Sequence, residues 1–136
     1  MADKLHFELV SPERSVASAD VDMVTVPGSE GDFGVLANHA PFISTLRAGI
    51  LTVTDGGSDT NRIFVRGGFA DVTPRGLTVL AEEAEPVSEI DRDVLNQKIR
   101  NAEEDVSDAK DEAAKSDAEA RLAALKEKAE VLDAAL

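Results

Sequence analysis

Cysteine is absent from this chain of 136 residues. No disulfide framework, thiolate nucleophile or Cys-ligated zinc site is therefore possible, and the composition fits a reducing compartment. Basic residues are scarce. Fourteen Lys and Arg stand against 27 Asp and Glu, a formal net charge of −13. The deficit is not confined to a tail: residues 1–86 carry 6 basic and 13 acidic side chains, and residues 87–136 carry 8 and 14. Phosphate-backbone binding needs clustered Lys and Arg, so no nucleic-acid partner is expected. An anionic membrane surface would also repel the chain. No direct lipid insertion is expected, and any attachment to a membrane has to run through protein. No apolar run reaches the roughly 18 residues that a spanning helix needs. Met1-Ala2-Asp3-Lys4-Leu5-His6-Phe7 lacks both the basic start and apolar core of a secretory leader and the Arg-rich character of a transit peptide. The chain is expected to stay where it is made.

Catalytic constellations are missing as well. The two histidines, His6 and His39, lie in different segments and show no H-E-x-x-H spacing. His6 reads as an outward strand position. His39 reads as a ring that fixes its own loop by hydrogen bonds or meets a partner. The serines form no G-x-S-x-G elbow. Glu82, Glu83 and Glu85 adjoin Pro86 and read as a solvated linker rather than an acid–base pair. No metal and no cofactor are expected.

What is present divides into two parts. Through residue 86, short apolar runs alternate with turn signals. Leu5, Phe7 and Leu9 alternate with His6 and Glu8, a strand period. Ser11-Pro12-Glu13-Arg14 reads as a turn, and Val24 and Val26 alternate around Thr25. Ile50 to Thr54 closes on Asp55-Gly56-Gly57-Ser58, a hairpin signal. Gly67-Gly68 suggests a bulge or a bend between sheets. Phe69 to Thr73 and Leu77 to Ala81 flank a turn at Pro74-Arg75-Gly76. Many short strands without helical runs between them predict an antiparallel β-sandwich or barrel of 1–86, with a parallel sheet unexpected.

From residue 87 the period changes. Leu95, Ile99, Ala102, Val106, Ala109 and Ala113 are spaced 4, 3, 4, 3, 4. Ala118, Leu122, Leu125, Ala129, Leu132 and Leu136 repeat that spacing. Two helices with apolar seams are predicted, capped at Ser88 and Ser116 and broken at Lys115-Ser116-Asp117. A short break makes them an antiparallel hairpin over 87–136. Nearly half of the seam is alanine. A buried Leu contributes roughly 1.5–3 kcal/mol and an Ala far less, so the hairpin is expected to be marginal alone.

The block Val26-Pro27-Gly28-Ser29-Glu30-Gly31-Asp32-Phe33-Gly34-Val35-Leu36-Ala37-Asn38-His39-Ala40-Pro41 is the most informative stretch. Gly28, Gly31 and Gly34 fall at every third position, with two acids between them. Glycine tolerates positive φ and close backbone approach, so the block reads as a shaped, acid-tipped docking loop. It is unlike a phosphate loop: no Lys follows, and Glu30 and Asp32 would repel phosphate.

These residues resemble the epsilon subunits of bacterial F-type ATP synthases, the counterpart of the mitochondrial delta subunit. The block from Val26 to Pro41 is similar to one signature of that family. Val65-Arg66-Gly67-Gly68-Phe69-Ala70-Asp71-Val72, followed by Leu77-Thr78-Val79-Leu80-Ala81-Glu82, is similar to another. The resemblance spans essentially the whole chain. It implies an α+β protein: an N-terminal sandwich of about ten strands, then a C-terminal two-helix hairpin. It implies a noncatalytic subunit of the rotor's central stalk, peripheral on the cytoplasmic face of the bacterial inner membrane. The implied partners are the gamma subunit, the c-ring and, through the hairpin, the alpha and beta subunits of the catalytic head. Glu30, Gly31 and Asp32 match positions that meet the c-ring. An acidic tip suits the cationic loops usual on c subunits. Ser11, His39, Ala40, Pro41 and Ser44 match positions that face gamma. In some members the hairpin extends into the head and restrains ATP hydrolysis; in some it binds ATP through an Ile-Asp-x-x-Arg-Ala motif. Here Ile90-Asp91 is present, but Val94 and Leu95 occupy the Arg-Ala positions.

Overall fold

A computed structural model describes residues 3–13 and 15–135. Arg14, placed above in a turn, and Leu136, placed above in a helix seam, lie outside the described residues. The chain forms two compact units, one ending at Ser88 and the next beginning at Glu89.

The first unit holds ten strands: β1 (Leu5–Val10), β2 (Ser15–Val21), β3 (Met23–Gly28), β4 (Gly31–Leu36), β5 (Phe42–Thr45), β6 (Gly49–Asp55), β7 (Ser58–Arg66), β8 (Phe69–Thr73), β9 (Gly76–Leu80) and β10 (Glu83–Pro86). They make two five-stranded sheets, ordered β2-β1-β9-β8-β5 and β10-β7-β6-β3-β4. The period-2 apolar residues face inward, as their alternation requires. Leu5, Phe7 and Leu9 of β1, Val24 and Val26 of β3, Ile63 and Val65 of β7 and Leu77 and Val79 of β9 are all at most 2% exposed.

The turn chemistry follows the sequence closely. Gly56 and Gly57 both take positive φ, 66° and 82°, between the paired ends Asp55 and Ser58. That is the backbone a two-residue hairpin prefers. Gly67 and Gly68, at φ 69° and 90°, carry the chain from β7 in one sheet to β8 in the other.

Three features depart from the sequence reading. First, β1 pairs with β9 in parallel, Phe7 opposite Leu77 and Val10 opposite Leu80. No crossover helix is needed, because seven strands drawn from both sheets, β2 to β8, connect them. Second, Glu83, Ala84, Glu85 and Pro86 are not a linker but an edge strand. Each pairs with a residue of β7, from Glu83 opposite Arg66 to Pro86 opposite Ile63. Arg66 Nε donates to Glu83 Oε1 at 3.3 Å. The charges looked solvent-bound, yet an edge strand tolerates them, and proline too. Third, the block from Val26 to Pro41 is largely a hairpin: β4 pairs along the whole of β3.

The second unit opens with a short 3-10 turn, Val87–Glu89, followed by α1 (Arg92–Asp108) and α2 (Glu112–Ala135). The expected caps move. Asp91, not Ser88, caps α1, its Oδ1 accepting from Asp93 N at 2.9 Å and Val94 N at 3.2 Å. Asp111, not Ser116, caps α2, accepting from Ala114 N at 2.7 Å. The break is at Ala109-Lys110-Asp111, so Lys115, Ser116 and Asp117 are helical. Ala109 turns extended, at φ −62° and ψ 131°. A carboxylate satisfies the first free N–H groups of a helix as well as a hydroxyl does, and nothing at 115–117 forbids helix. Leu95, Ala102, Ala118, Ala129 and Leu132 are buried in this unit.

Candidate functional site

The β3–β4 hairpin brings the two end glycines opposite each other, Gly28 against Gly31, and leaves Ser29 and Glu30 at the turn. Gly31 sits at φ +132° with nothing within 4 Å of where a Cβ would lie. Its backbone, not its surroundings, calls for glycine. Gly28 is the reverse case: a Cβ there would meet Gly31 O at 2.8 Å and the Phe33 ring at 2.9 Å. Gly34 needs neither, since its added Cβ would make ordinary contact with Met23 Sδ at 3.5 Å. The every-third pattern thus overstates the demand for glycine by one residue.

The tip is tied to the connection between β5 and β6. Ser29 N donates to Thr45 O at 2.9 Å, and the two side-chain hydroxyls meet at 2.7 Å. Arg47 N donates to Pro27 O at 3.1 Å. The Arg47 guanidinium donates through Nη1 to Gly28 O at 3.0 Å and through Nη2 to Asp32 Oδ1. The two acids of the block are therefore not alike. Asp32 lies in β4 and is paired. Glu30 is exposed at the turn, with no partner among the described residues.

A groove of about 550 Å³ runs between this tip and β5. Phe33 and Phe42 pack edge to face across it, ring centroids 5.2 Å apart. Ile43 on its wall is 68% exposed. Ser44 lines the same groove, its Oγ donating to Thr45 O at 2.9 Å. The structure thus sets Ser44 beside Glu30, Gly31 and Asp32. His39, Ala40 and Pro41 lie just before β5, in the connection from β4. The His39 ring donates through Nδ1 to Ala40 O at 2.7 Å, and Asn38 before it takes φ +63°. Ser11 stands elsewhere on the sandwich. It lines a hollow of about 280 Å³ with Val10, Pro12, Gly68, Leu80, Ala81 and Glu82.

Sequence reasoning missed Arg47 altogether. It also missed the exposed apolar side chains Ile43, Phe69 and Leu80. Leu80 had a signal: it falls out of step with the inward Leu77 and Val79. Phe69 faces it across the ladder. Arg47 had none, since its partners are Gly28 and Asp32, 19 and 15 residues away.

In the second unit, the Asp91 carboxylate is engaged as the cap of α1, and Ile90 beside it is half-buried. Arg92 pairs with Asp133; their hydrogen bond raises the arginine pKa and lowers that of the aspartate. On the sandwich, the His6 ring nitrogens lie 2.9 Å from Asp20 Oδ1 and 3.1 Å from Glu8 Oε1, and the imidazolium form donates to both carboxylates. Those bonds, to Asp20 first, raise its pKa. Lys4 bridges Asp22 and Asp55, which raises its own pKa, and Asp22 is held low by that lysine and by Gly56 N. Among the described residues, no group of His, Asp and Glu side chains is arranged to hold a metal ion. Among the described residues, no helix is long and apolar enough to cross a membrane.

The fold defines a class: a β-sandwich of two five-stranded sheets followed by a helical hairpin. A sequence model described as the ATP synthase delta/epsilon chain β-sandwich domain matches residues 4–87. The ATP synthase epsilon chain of Maricaulis maris is 57% identical over 123 residues, covering 90% of this chain and 92% of that one. The ATP synthase epsilon chain of Caulobacter vibrioides is 65% identical over 82 residues, which are 60% of this chain but 93% of the relative. Among solved structures, a chain of the Euglena gracilis mitochondrial ATP synthase, determined with OSCP, F1 and c-ring, aligns with a TM-score of 0.72. It is 30% identical, over 99% of this chain and 82% of that one. The chain belongs to the ATP synthase delta/epsilon family, and within it to the epsilon chains, which are noncatalytic subunits.

Proposed function

We propose that this chain is a rotor subunit of the central stalk, coupling rotation of the c-ring to the gamma subunit and the catalytic head. The observation that carries the reading is the anchored tip. Transmitting torque asks for stiffness, and the tip is held to the sheet by backbone, hydroxyl and guanidinium contacts from Thr45 and Arg47. The packed β core behind it deforms little. In this reading Glu30, Gly31 and Asp32 face the polar loops of the ring. Ser11, His39, Ala40, Pro41 and Ser44 face gamma. The chain works on the cytoplasmic face of the bacterial inner membrane, attached through its partners. The hairpin is an accessory that meets the alpha and beta subunits. The Caulobacter relative, too short to hold both units, favours the sandwich as the coupling element.

Two experiments test this. A tagged chain purified from its host should bring gamma and the catalytic subunits with it; isolation alone would sink the reading. Glu30→Lys with Asp32→Lys should lower ATP-driven proton pumping in membranes while the sandwich stays folded. Unchanged pumping would remove the ring from the tip.

A second reading makes the hairpin an ATP sensor acting through Ile90 and Asp91. The engagement of Asp91 as a helix cap disfavours it, as does Val94 at the place of the arginine that would make charge-assisted contacts to phosphate. Titration with millimolar ATP should leave the spectrum of the purified chain unchanged. Truncation after Pro86 separately tests restraint of hydrolysis: a rise in ATPase rate of the assembled enzyme would assign that role to the hairpin.

A further inference from the structure

We infer that Arg47 is a positioning residue for the hairpin tip, and that by neutralising Asp32 it leaves Glu30 as the single contact charge of the groove. The inference deepens the rotor reading and rests on it. Arg47 reaches the hairpin from outside its two strands. One guanidinium nitrogen holds Gly28 O at the end of β3, the other holds Asp32 on β4, and its backbone N holds Pro27 O. Together with the Ser29–Thr45 contacts, Arg47 thereby fixes the angle of the tip against the rest of the sheet. The Arg47 and Asp32 side chains are 46% and 58% exposed, where an ion pair adds little to folding stability. The planar fork explains arginine better: it binds two acceptors at a fixed spacing, which lysine cannot do.

The electrostatic consequence is selective. Asp32 is screened by a fixed cation, while Glu30, two residues away, is unpaired at the outermost position. Phe33, Phe42 and Ile43 supply an apolar floor beside it. The ring loop that fits presents one basic side chain to Glu30 and an apolar one to the floor. A second basic side chain directed at Asp32 would meet the Arg47 charge, a built-in mismatch.

The test uses the full chain in reconstituted ATP synthase vesicles, reading ATP-driven proton pumping per ATP hydrolysed across a salt series. Hydrogen exchange of the tip amides is read in the purified chain. Glu30→Gln is expected to lower the coupling ratio about threefold or more at low salt and to flatten its salt dependence, since a steering charge has been removed. Asp32→Asn is expected to change both clearly less than Glu30→Gln does, because Arg47 already offsets that charge. Arg47→Gln should speed exchange at Ser29 and Glu30 about tenfold and steepen the salt dependence, because Asp32 is uncovered. Adding Asp32→Asn to Arg47→Gln should restore the salt slope while exchange stays fast, a reversal that loss of folding cannot produce. Equal damage from Asp32→Asn and Glu30→Gln overturns the inference, as does an unchanged salt slope in Arg47→Gln. Unaltered pumping in every variant, Glu30→Lys included, instead removes the ring from the tip, the part of the rotor reading on which the inference rests.

Discussion

Arg92, the first residue of α1, and Asp133, near the end of α2, meet as a bidentate pair: Nη1 and Nη2 lie 2.7 and 3.2 Å from the two carboxylate oxygens. The open end of the helical hairpin is thus closed by charge, while Arg121 and Asp105 pair at 3.0 Å farther along. Both pairs are exposed, so the seam between the helices carries most of the stability.

That division gives a contrast between two substitutions. Leu132 is 7% exposed and Leu95 is 4% exposed in a seam otherwise rich in alanine. Leu132→Ala is expected to cost about 2–5 kcal/mol, enough to melt both helices. Arg92→Ala should only fray the first turn of α1 and the last of α2. Amide hydrogen exchange resolved by residue checks both, with protection in the sandwich as the internal reference. Equal effects from the two changes would show that charge, not packing, holds the hairpin.

Gly68 and Gly31 make a second contrast. Both have positive φ, 90° and 132°. A Cβ on Gly68 would fall 1.8 Å from Leu80 O, whereas one on Gly31 meets nothing. Gly31→Ala should cost on the order of 1–3 kcal/mol from backbone strain alone. Gly68→Ala adds a backbone clash where β7 hands over to β8 and should fail to fold. Chemical denaturation measures the first, and yield of soluble protein with the dispersion of its amide spectrum reports the second. A folded Gly68→Ala would refute the close approach.

His6 supplies the pH prediction. Its bonds to Asp20 and then Glu8 favour the imidazolium, raising the folded pKa above the ordinary value of 6.5. A raised folded pKa means that the stabilisation is complete below the unfolded value and disappears as pH climbs through the folded one. The ring resonances of His6 should therefore titrate above 6.5, and Asp20→Asn should move the midpoint down. His6→Gln should remove the loss of stability on raising the pH through that window. A midpoint at or below 6.5 would contradict the geometry.

Much of the fold was legible in the sequence where the physics is local. Leu5, Phe7 and Leu9 declared one inward strand face, and Asp55-Gly56-Gly57-Ser58 declared its hairpin, because side-chain period and positive φ are properties of neighbouring residues. The helical seam was legible for the same reason, as Leu95 and Ala102 show. The errors fell where the deciding partner is distant. Glu83 and Glu85 look like linker residues until β7 is beside them. The parallel pairing of β1 and β9 joins residues about 70 positions apart. Ser88 and Ser116 resemble caps, but the helices begin at Arg92 and Glu112, where the Asp91 and Asp111 carboxylates accept from the first free N–H groups.

The candidate site divides in the same way. Composition and order along the chain determined a noncatalytic β-sandwich followed in sequence by a helical hairpin, with an acidic, glycine-shaped block in the sandwich. Only the tertiary structure separated Glu30 from Asp32, by carrying Arg47 to one and not the other. A charge is a property of a side chain, but whether it is free to meet a partner depends on which opposite charge the fold brings within hydrogen-bond reach.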